Sequence, residues 1–254
     1  MLSVEAGSVV LDTGSCLAVI FDMDGVVTDS ASAHRRAWKR TFDSFLDERY
    51  LAGGERMREF DEADYLTYVD GKPRYDGVRS FLASRGIELP EGTPEDPPEA
   101  ETVNGLGNRK NQAFLQTVAE SGIDPYPSTL ELIDRLHSGG VGVALITSSR
   151  NAGAVLEAAG VDVATFDHVV DGTESARLGL AGKPDPAIFL EAASRLGASA
   201  AGCVVVEDAV SGVEAGRAGE FGGVIGVDRG NNREALRAAG ADVVVEDLAE
   251  VTLG

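Results

Sequence analysis

The chain has 254 residues, 43% hydrophobic and 25% charged, which is long enough for one large domain or two small ones with a buried core. A formal net charge of −20 argues against a nucleic-acid partner, because no basic surface is available to displace counterions. It also repels polyanions at long range, so any phosphate site has to be built locally from a metal and a few cations. No apolar run approaches the length needed to span a bilayer. Residues 1–15 carry Glu5 and Asp12, no Lys or Arg, and one brief apolar stretch, Val9-Val10-Leu11, which fails the pattern of a secretory signal. Cys16 and Cys203 each head an apolar run, where cysteine behaves as a small buried hydrophobe. A disulfide framework is not indicated, and the cytoplasm is the expected compartment.

The first strand is expected over residues 17–21, and it runs directly into Asp22-Met23-Asp24-Gly25-Val26-Val27-Thr28-Asp29-Ser30. A buried strand ending in two acids one residue apart places both carboxylates at the open edge of a sheet. There each raises the cost of ionising the other. A divalent cation, or a reaction that uses the pair, is the natural compensation; an acidic loop that happens to follow a strand is the alternative. Beyond it, Ser30 or Ser32 can cap a helix carrying Ala37, Trp38, Phe42, Phe45 and Leu46 at helical spacing. Further helices are expected at about 76–84 and 109–121, separated by a proline- and acid-rich loop at 89–98 that cannot continue a helix. No convincing strand occurs between residues 34 and 121.

From Tyr126-Pro127 the rhythm becomes strand–helix–strand. Apolar runs at 141–146, 168–170, 203–206, 224–227 and 243–245 alternate with helical stretches at 129–137, 152–159, 186–196 and 211–218. Short valine-rich strands separated by helices imply a parallel sheet covered on both faces. The expected architecture is a doubly wound α/β core, residues 1–31 and 123–254, with an α-helical cap inserted at 32–122. Ligands of such sheets bind at the carboxyl ends of the strands.

Three more of those ends carry polar groups: Thr147-Ser148-Ser149-Arg150-Asn151, Gly182-Lys183-Pro184-Asp185-Pro186, and Glu207-Asp208. Singly, each has a plain account as a capping cluster, a solvated lysine or the acidic first turn of a helix. Together they bring two acids, a hydroxyl, a lysine and a second acid pair to one sheet edge. That set suits phosphoryl transfer, where catalysis is mainly positioning and charge neutralisation.

These residues resemble the four motifs of the haloacid dehalogenase superfamily of aspartate-nucleophile phosphotransferases: Asp22-x-Asp24, Thr147, Lys183 and Glu207-Asp208. The β-phosphoglucomutase-like subfamily is indicated by the longer string from Phe21 to Ser30, by His34 and Ala37-Trp38-Lys39, by Arg109-Lys110-Asn111, and by Tyr126-Pro127. The string Gly182 to Pro186 adds to it, and the likeness runs from Leu17 to the C-terminus. The resemblance implies a Rossmann-like core with a helical cap, and Asp22 as a nucleophile that forms an aspartyl phosphate. Asp24 is implied as general acid and base. Mg²⁺ is implied as the cofactor, with Asp22, the Asp24 main-chain carbonyl and Asp208 as ligands and Glu207 holding a metal-bound water. Thr147, Ser148 and Lys183 would bind the transferring phosphoryl group. His34, Arg74, Lys110, Ser149, Arg150 and Asn151 would contact the rest of the substrate, with Arg74 suited to a forked grip on a second phosphate.

The implied activity is interconversion of β-D-glucose 1-phosphate and glucose 6-phosphate through glucose 1,6-bisphosphate. A sugar-phosphate phosphatase with the same core and a non-catalytic sugar-phosphate binder are the alternatives. The partner expected is a small sugar phosphate, with no nucleic acid and no membrane, and the chain is expected to be a monomer.

Overall fold

The structure is a computed structural model that describes residues 2–5 and 8–254. Its strands are β1 (Leu2–Glu5), β2 (Ser8–Leu11), β3 (Ala18–Asp22), β4 (Gly142–Ile146), β5 (His168–Val170), β6 (Cys203–Glu207), β7 (Gly223–Val227), β8 (Val243–Val245) and β9 (Val251–Leu253). Its α-helices are α1 (Ala31–Leu51), α2 (Glu62–Asp64), α3 (Arg74–Ser84), α4 (Val103–Ser121), α5 (Pro127–Ser138), α6 (Ala152–Ala158), α7 (Gly172–Leu178), α8 (Ala187–Arg195), α9 (Val210–Ala218) and α10 (Arg233–Ala239). The chain forms two compact units, Met1–Asp29 with Asp124–Gly254, and Ser30–Ile123. Among the described residues no helix is long and apolar enough to cross a membrane.

The first unit is built on a six-stranded sheet in the order β5-β4-β3-β6-β7-β8, every pairing parallel. Successive side chains of a strand point to opposite faces. Ala18, Ile20, Ala144, Ile146, Cys203 and Val205 accordingly share one core with Ile188 and Phe189 of α8, Val213 of α9 and Leu236 of α10. Leu132, Ile133 and Leu136 of α5 are buried, and α5 packs on β4. The chain leaves β3 in one direction for β4 and β5 and returns on the other side for β6, β7 and β8. The reversal falls between β3 and β6, the position where doubly wound sheets open a crevice for ligands.

Register then fixes the chemistry. Phe21 pairs with Val206, so the next residues, Asp22 and Glu207, stand side by side at the carboxyl ends of neighbouring strands. A one-residue slip would send the Glu207 side chain to the other face.

Residues 1–15 gave no clear expectation. The structure places Ser8–Leu11 in a small second sheet of order β1-β2-β9, with Val9 opposite Val251. Both cysteines are buried and free, and burial pushes the Cys203 thiol up to about 11.

The second unit is helical and contains no strand among its described residues. Trp38, Phe42, Phe45 and Leu46 line the inner face of α1 and pack with Phe60, Phe81 and Leu106. The Phe42 and Phe81 rings stack with centroids 3.9 Å apart. Ser30 occupies the N-cap position of α1 but makes no side-chain cap hydrogen bond, because its backbone is already helical at φ −89°, ψ −14°. That expectation is corrected. The helix expected from 109 begins instead at Val103, where the Thr102 hydroxyl caps the Gly105 amide at 2.9 Å. The 89–98 segment is free of helix and strand, as its prolines require.

Asp64 is a buried charge that this unit depends on. Its carboxylate accepts from Arg58 at 2.9 Å and Arg85 at 2.6 Å, and from the Asp61 amide in a capping box at 3.2 Å. Burial is the largest single influence and opposes its ionisation, but the Arg85 hydrogen bond, the Asp61 amide and the charges of Arg85 and Arg58 together outweigh it, and its carboxyl titrates below the usual range. Asp64→Ala is expected to destabilise the protein by about 3 kcal/mol, since it leaves Arg85 unpaired. Because the folded pKa is depressed, this stabilisation is fully present above about pH 4 and is lost as pH falls through the folded value. Denaturant titrations should therefore show wild type losing more stability than Asp64→Asn on acidification below about pH 4.

Candidate active site

Asp22 is the last residue of β3 and is buried. Lys183, on the loop that precedes α8, is buried too, and its ammonium donates to Asp22 Oδ1 at 2.5 Å and to Glu207 Oε1. Burial pulls the Lys183 pKa down, but the two carboxylates outweigh it and hold the ammonium protonated. Asp22 is pushed well above the ordinary carboxylate range. Burial is the main cause, Lys183 opposes it, and the charges of Glu207 and Asp24 add to it. Two carboxylates sharing one ammonium leave a net negative charge out of water, which a cation would relieve.

The remaining Glu207 oxygen, Oε2, accepts the Ala209 amide at 2.9 Å, so both of its oxygens are engaged. Asp208 follows at the same strand end. Asp22, Glu207 and Asp208 each present a carboxylate oxygen, all within 4.8 Å of one another. An all-oxygen set of this kind fits a hard divalent cation such as Mg²⁺.

Asp24 lies one turn beyond Asp22 on a loop tied down by backbone bonds. The Met23 carbonyl accepts from Val27 at 2.9 Å and Thr28 at 3.0 Å, and Thr129 Oγ1 donates to the Val26 carbonyl at 2.7 Å. Thr147, just past β4, donates its hydroxyl to Asp24 Oδ2 at 3.0 Å and accepts the Ser149 amide at 3.0 Å. The turn continues with the Asn151 amide on Ser149 Oγ at 3.1 Å and the Gly172 amide on the Ser149 carbonyl at 2.9 Å. Ser148 is half-buried and Arg150 exposed in that turn. The structure thus brings Asp22, Asp24, Thr147, Lys183, Glu207 and Asp208 to one edge of the sheet.

The sequence reading assigned no role to several residues of this edge. Gly25 has φ +85°, and a Cβ on it would lie 1.9 Å from Asp208 Oδ2. A Cβ on Gly212 would lie 1.8 Å from Glu207 Oε1. Each glycine is required by an acid that passes over it. Arg229 Nε donates to the Gly25 carbonyl at 2.9 Å, and its guanidinium lies 3.6 Å over the Tyr126 ring. Asn232 Nδ2 donates to the Asp208 carbonyl at 3.0 Å. The Tyr126 phenol is pushed up to about 12, chiefly by burial, with Arg229 opposing and Asp29 and Asp208 reinforcing the shift. Arg229 and Asn232 belong to the polar loop after β7, another strand end, so the criterion that found Thr147 would have found them.

In the helical unit, Lys110 is buried, with its ammonium 2.5 Å from His34 Nδ1 and about 5 Å from the Trp38 and Phe114 ring centroids. The His34 ring stacks on Phe114 at 3.9 Å. Donation by the ammonium makes Nδ1 the acceptor and leaves the ring proton on Nε2. Arg74 Nη2 donates to Asn111 Oδ1 at 2.8 Å. Arg109, by contrast, forms a two-pronged pair with Glu48 at 2.8 and 2.5 Å.

Gly212→Ala tests the packing around Glu207. The added methyl must drive Glu207 off Lys183, and a loss of about 3 kcal/mol is expected in thermal or denaturant unfolding. Ala215, a buried neighbour on the same helix, changed to Gly should cost only about 1 kcal/mol.

Residues 16–219 match the haloacid dehalogenase-like hydrolase family. The chain is 49% identical over 238 residues to the beta-phosphoglucomutase of Mycobacterium bovis, covering 92% of this chain and 90% of that one. It is 32% identical to the beta-phosphoglucomutase of Bacillus subtilis, over 93% of this chain and 92% of the relative. The crystal structure of beta-phosphoglucomutase from Clostridium difficile superposes with a TM-score of 0.71 at 25% identity, covering 92% of both chains. The chain belongs to the haloacid dehalogenase superfamily, within its β-phosphoglucomutase-like subfamily.

Proposed function

We propose that this chain is a Mg²⁺-dependent β-phosphoglucomutase that interconverts β-D-glucose 1-phosphate and glucose 6-phosphate through glucose 1,6-bisphosphate. The observation that carries this reading is the 49% identity, over nine-tenths of both chains, to a relative bearing that name. The cluster around Asp22 supports phosphoryl transfer as its chemistry.

In this scheme the Asp22 carboxylate attacks the phosphorus of the bisphosphate. The phosphorus–oxygen bond to the sugar breaks as the Asp22 bond forms, and Asp24 gives its proton to the departing oxygen. With the C1 phosphoryl transferred, glucose 6-phosphate leaves, and the 6-hydroxyl of an incoming β-glucose 1-phosphate attacks the aspartyl phosphate to regenerate the bisphosphate. Asp24 takes that hydroxyl's proton, and Asp22 is released as a carboxylate. Lys183 and Thr147 neutralise and orient the phosphoryl oxygens, with Ser148 beside them. The Thr147 hydroxyl is already hydrogen-bonded to Asp24, so it also sets where the acid–base carboxyl rests.

The residues that would hold Mg²⁺ are Asp22, Asp208 and the Asp24 carbonyl, with Glu207 in a supporting place because both its oxygens are taken. Bound there, the cation would supply the positive charge that the buried acids and the phosphate together require. Arg74, Lys110 and His34, together with Ser149, Arg150 and Asn151, are assigned to the rest of the substrate and its second phosphate. Arg74 is preset for this by Asn111.

The test is incubation of the purified chain with Mg²⁺ and β-glucose 1-phosphate primed with the bisphosphate, following glucose 6-phosphate and free phosphate. Glucose 6-phosphate without phosphate release is the expected result. Phosphate released from several sugar phosphates would replace the mutase reading with a phosphatase, and no turnover would point to a binder. Chelation should stop turnover and added Mg²⁺ restore it. Asp22→Asn should lower the rate by at least about 10⁴-fold. The same change removes one charge from a net-negative buried cluster, so it should raise the Tm of the metal-free protein by about 2–4 °C.

A further inference from the structure

We propose that the helical unit binds a small phosphate-type oxyanion in a polar groove between α1 and α4, on a different face of those helices from Lys110 and His34. The groove encloses about 210 Å³ and is lined by Arg40, Thr41 and Ser44 of α1 and by Arg109, Gln112 and Gln116 of α4. That volume lies below the range of about 300–1,000 Å³ of pockets that take a whole drug-sized ligand, which limits the occupant to a compact group.

The placement follows from helix geometry. Residues 109, 112 and 116 recur at three- and four-residue spacing and share one stripe of α4. Lys110 and Phe114 occupy the next stripe, about 100° round the helix. On α1, residues 40 and 44 are likewise set apart from the stripe of residues 34, 38, 42 and 45, and Thr41, seven residues after His34, lies at the buried margin between the two.

Apart from Ala113, the lining carries donors of the kind oxyanions use: two guanidiniums, two side-chain amides and two hydroxyls. None of these lining residues is acidic, in a chain with 42 acidic and 22 basic residues. Thr41 supplies the second, independent sign. It is buried, and its Oγ1 has no hydrogen-bond partner, although it lines the groove. A buried hydroxyl is costly to leave unmade, which marks the seam between α1 and α4 beside the groove as short of an acceptor.

The two arginines differ in their ties, Arg109 having both terminal nitrogens on Glu48, so that Arg40 is the guanidinium assigned to grip the anion. Arg40 reaches Gln116 Oε1 at 3.5 Å, the long end of hydrogen bonding. A tetrahedral phosphate can accept from hydroxyl, amide and guanidinium donors at once, and guanidinium forks suit it. Such an anion would cross-link α1 to α4, the helices that also carry His34 and Lys110.

The test is an amide NMR titration of the ¹⁵N-labelled full chain, free of divalent metal, with sodium phosphate. Sodium chloride and sodium acetate at matched ionic strength are the comparison arms. Saturable shifts at Thr41, Ser44 and the Gln112 and Gln116 side-chain amides are expected with phosphate, with no saturation in chloride. Arg40→Ala should weaken the phosphate constant read at these amides about ten- to a hundredfold, and Gln112→Glu should abolish it. Any binding at residues 147–149 should keep its own constant in both variants. Equal shifts in phosphate and chloride would overturn the proposal, as would an unchanged phosphate constant in both variants. Saturation by acetate but not phosphate would overturn the assignment of ligand class.

Discussion

The ammonium of Lys183 bridges two buried carboxylates that belong to different strands, and the working edge of the sheet depends on it. The parallel register of β3 and β6 leaves no freedom in the matter. With Phe21 opposite Val206, the following residues must emerge side by side, and both are acids. Neighbouring strands lie about 4.8 Å apart, so two ionised carboxylates there would repel strongly in a medium that screens poorly. Lys183 lies against both, and its own charge is held by the same carboxylates that need it. Its cost is that three ionisable groups are buried at one place, an arrangement that contributes little net stability and is retained for what it does.

The second consequence is spatial. Carboxylates that must be held within reach of one another leave no room for side chains beneath them. Gly25 and Gly212 are the points where Asp208 and Glu207 pass over the backbone, and a methyl at either position would lie inside a carboxylate. The strand-end loops are then fastened to one another. Arg229 holds the Gly25 carbonyl, Asn232 holds that of Asp208, and Thr147 holds the Asp24 side chain. Charge, packing and hydrogen bonding at this edge form one device, in which shifting any acid disturbs the support of the next.

How much of this could be read from the sequence follows from how local each signal is. The six strands of the main sheet are valine-rich runs that end in polar residues, and strand identity and strand end are both written within a few positions of one another. The small sheet was opaque because β2 finds its partner β9 some 240 residues away, Val9 against Val251, and neither run is long enough to announce itself. The cap of α1 was misread because a serine before a helix signals a cap only when its backbone is extended, and Ser30 is already helical. The glycines were invisible for a different reason. Their role lies in which side chain crosses them, a fact of tertiary packing that no local pattern encodes. Arg229 and Asn232, by contrast, sat at a strand end in plain view.

The core cluster has no means of choosing between a sugar hydroxyl and water, since each offers an oxygen lone pair and a proton to be taken. The choice has to be made by groups that hold the far end of the substrate and keep water away. For that work preorganisation counts for more than the number of contacts, because every side chain ordered on binding subtracts from affinity. Under the proposed function that work falls in part to Arg74, which the helical unit holds in place. Arg74 opens α3 and is already hydrogen-bonded to Asn111 on α4. Its neighbour Tyr75 donates to Asn108, and Asn108 in turn clamps the proline-rich loop through the Pro94 and Asp96 carbonyls. Arg79 ties α3 to the same loop through Glu91. The proline-rich loop is therefore a brace that fixes α3 against α4, and it is this brace that sets the position of Arg74.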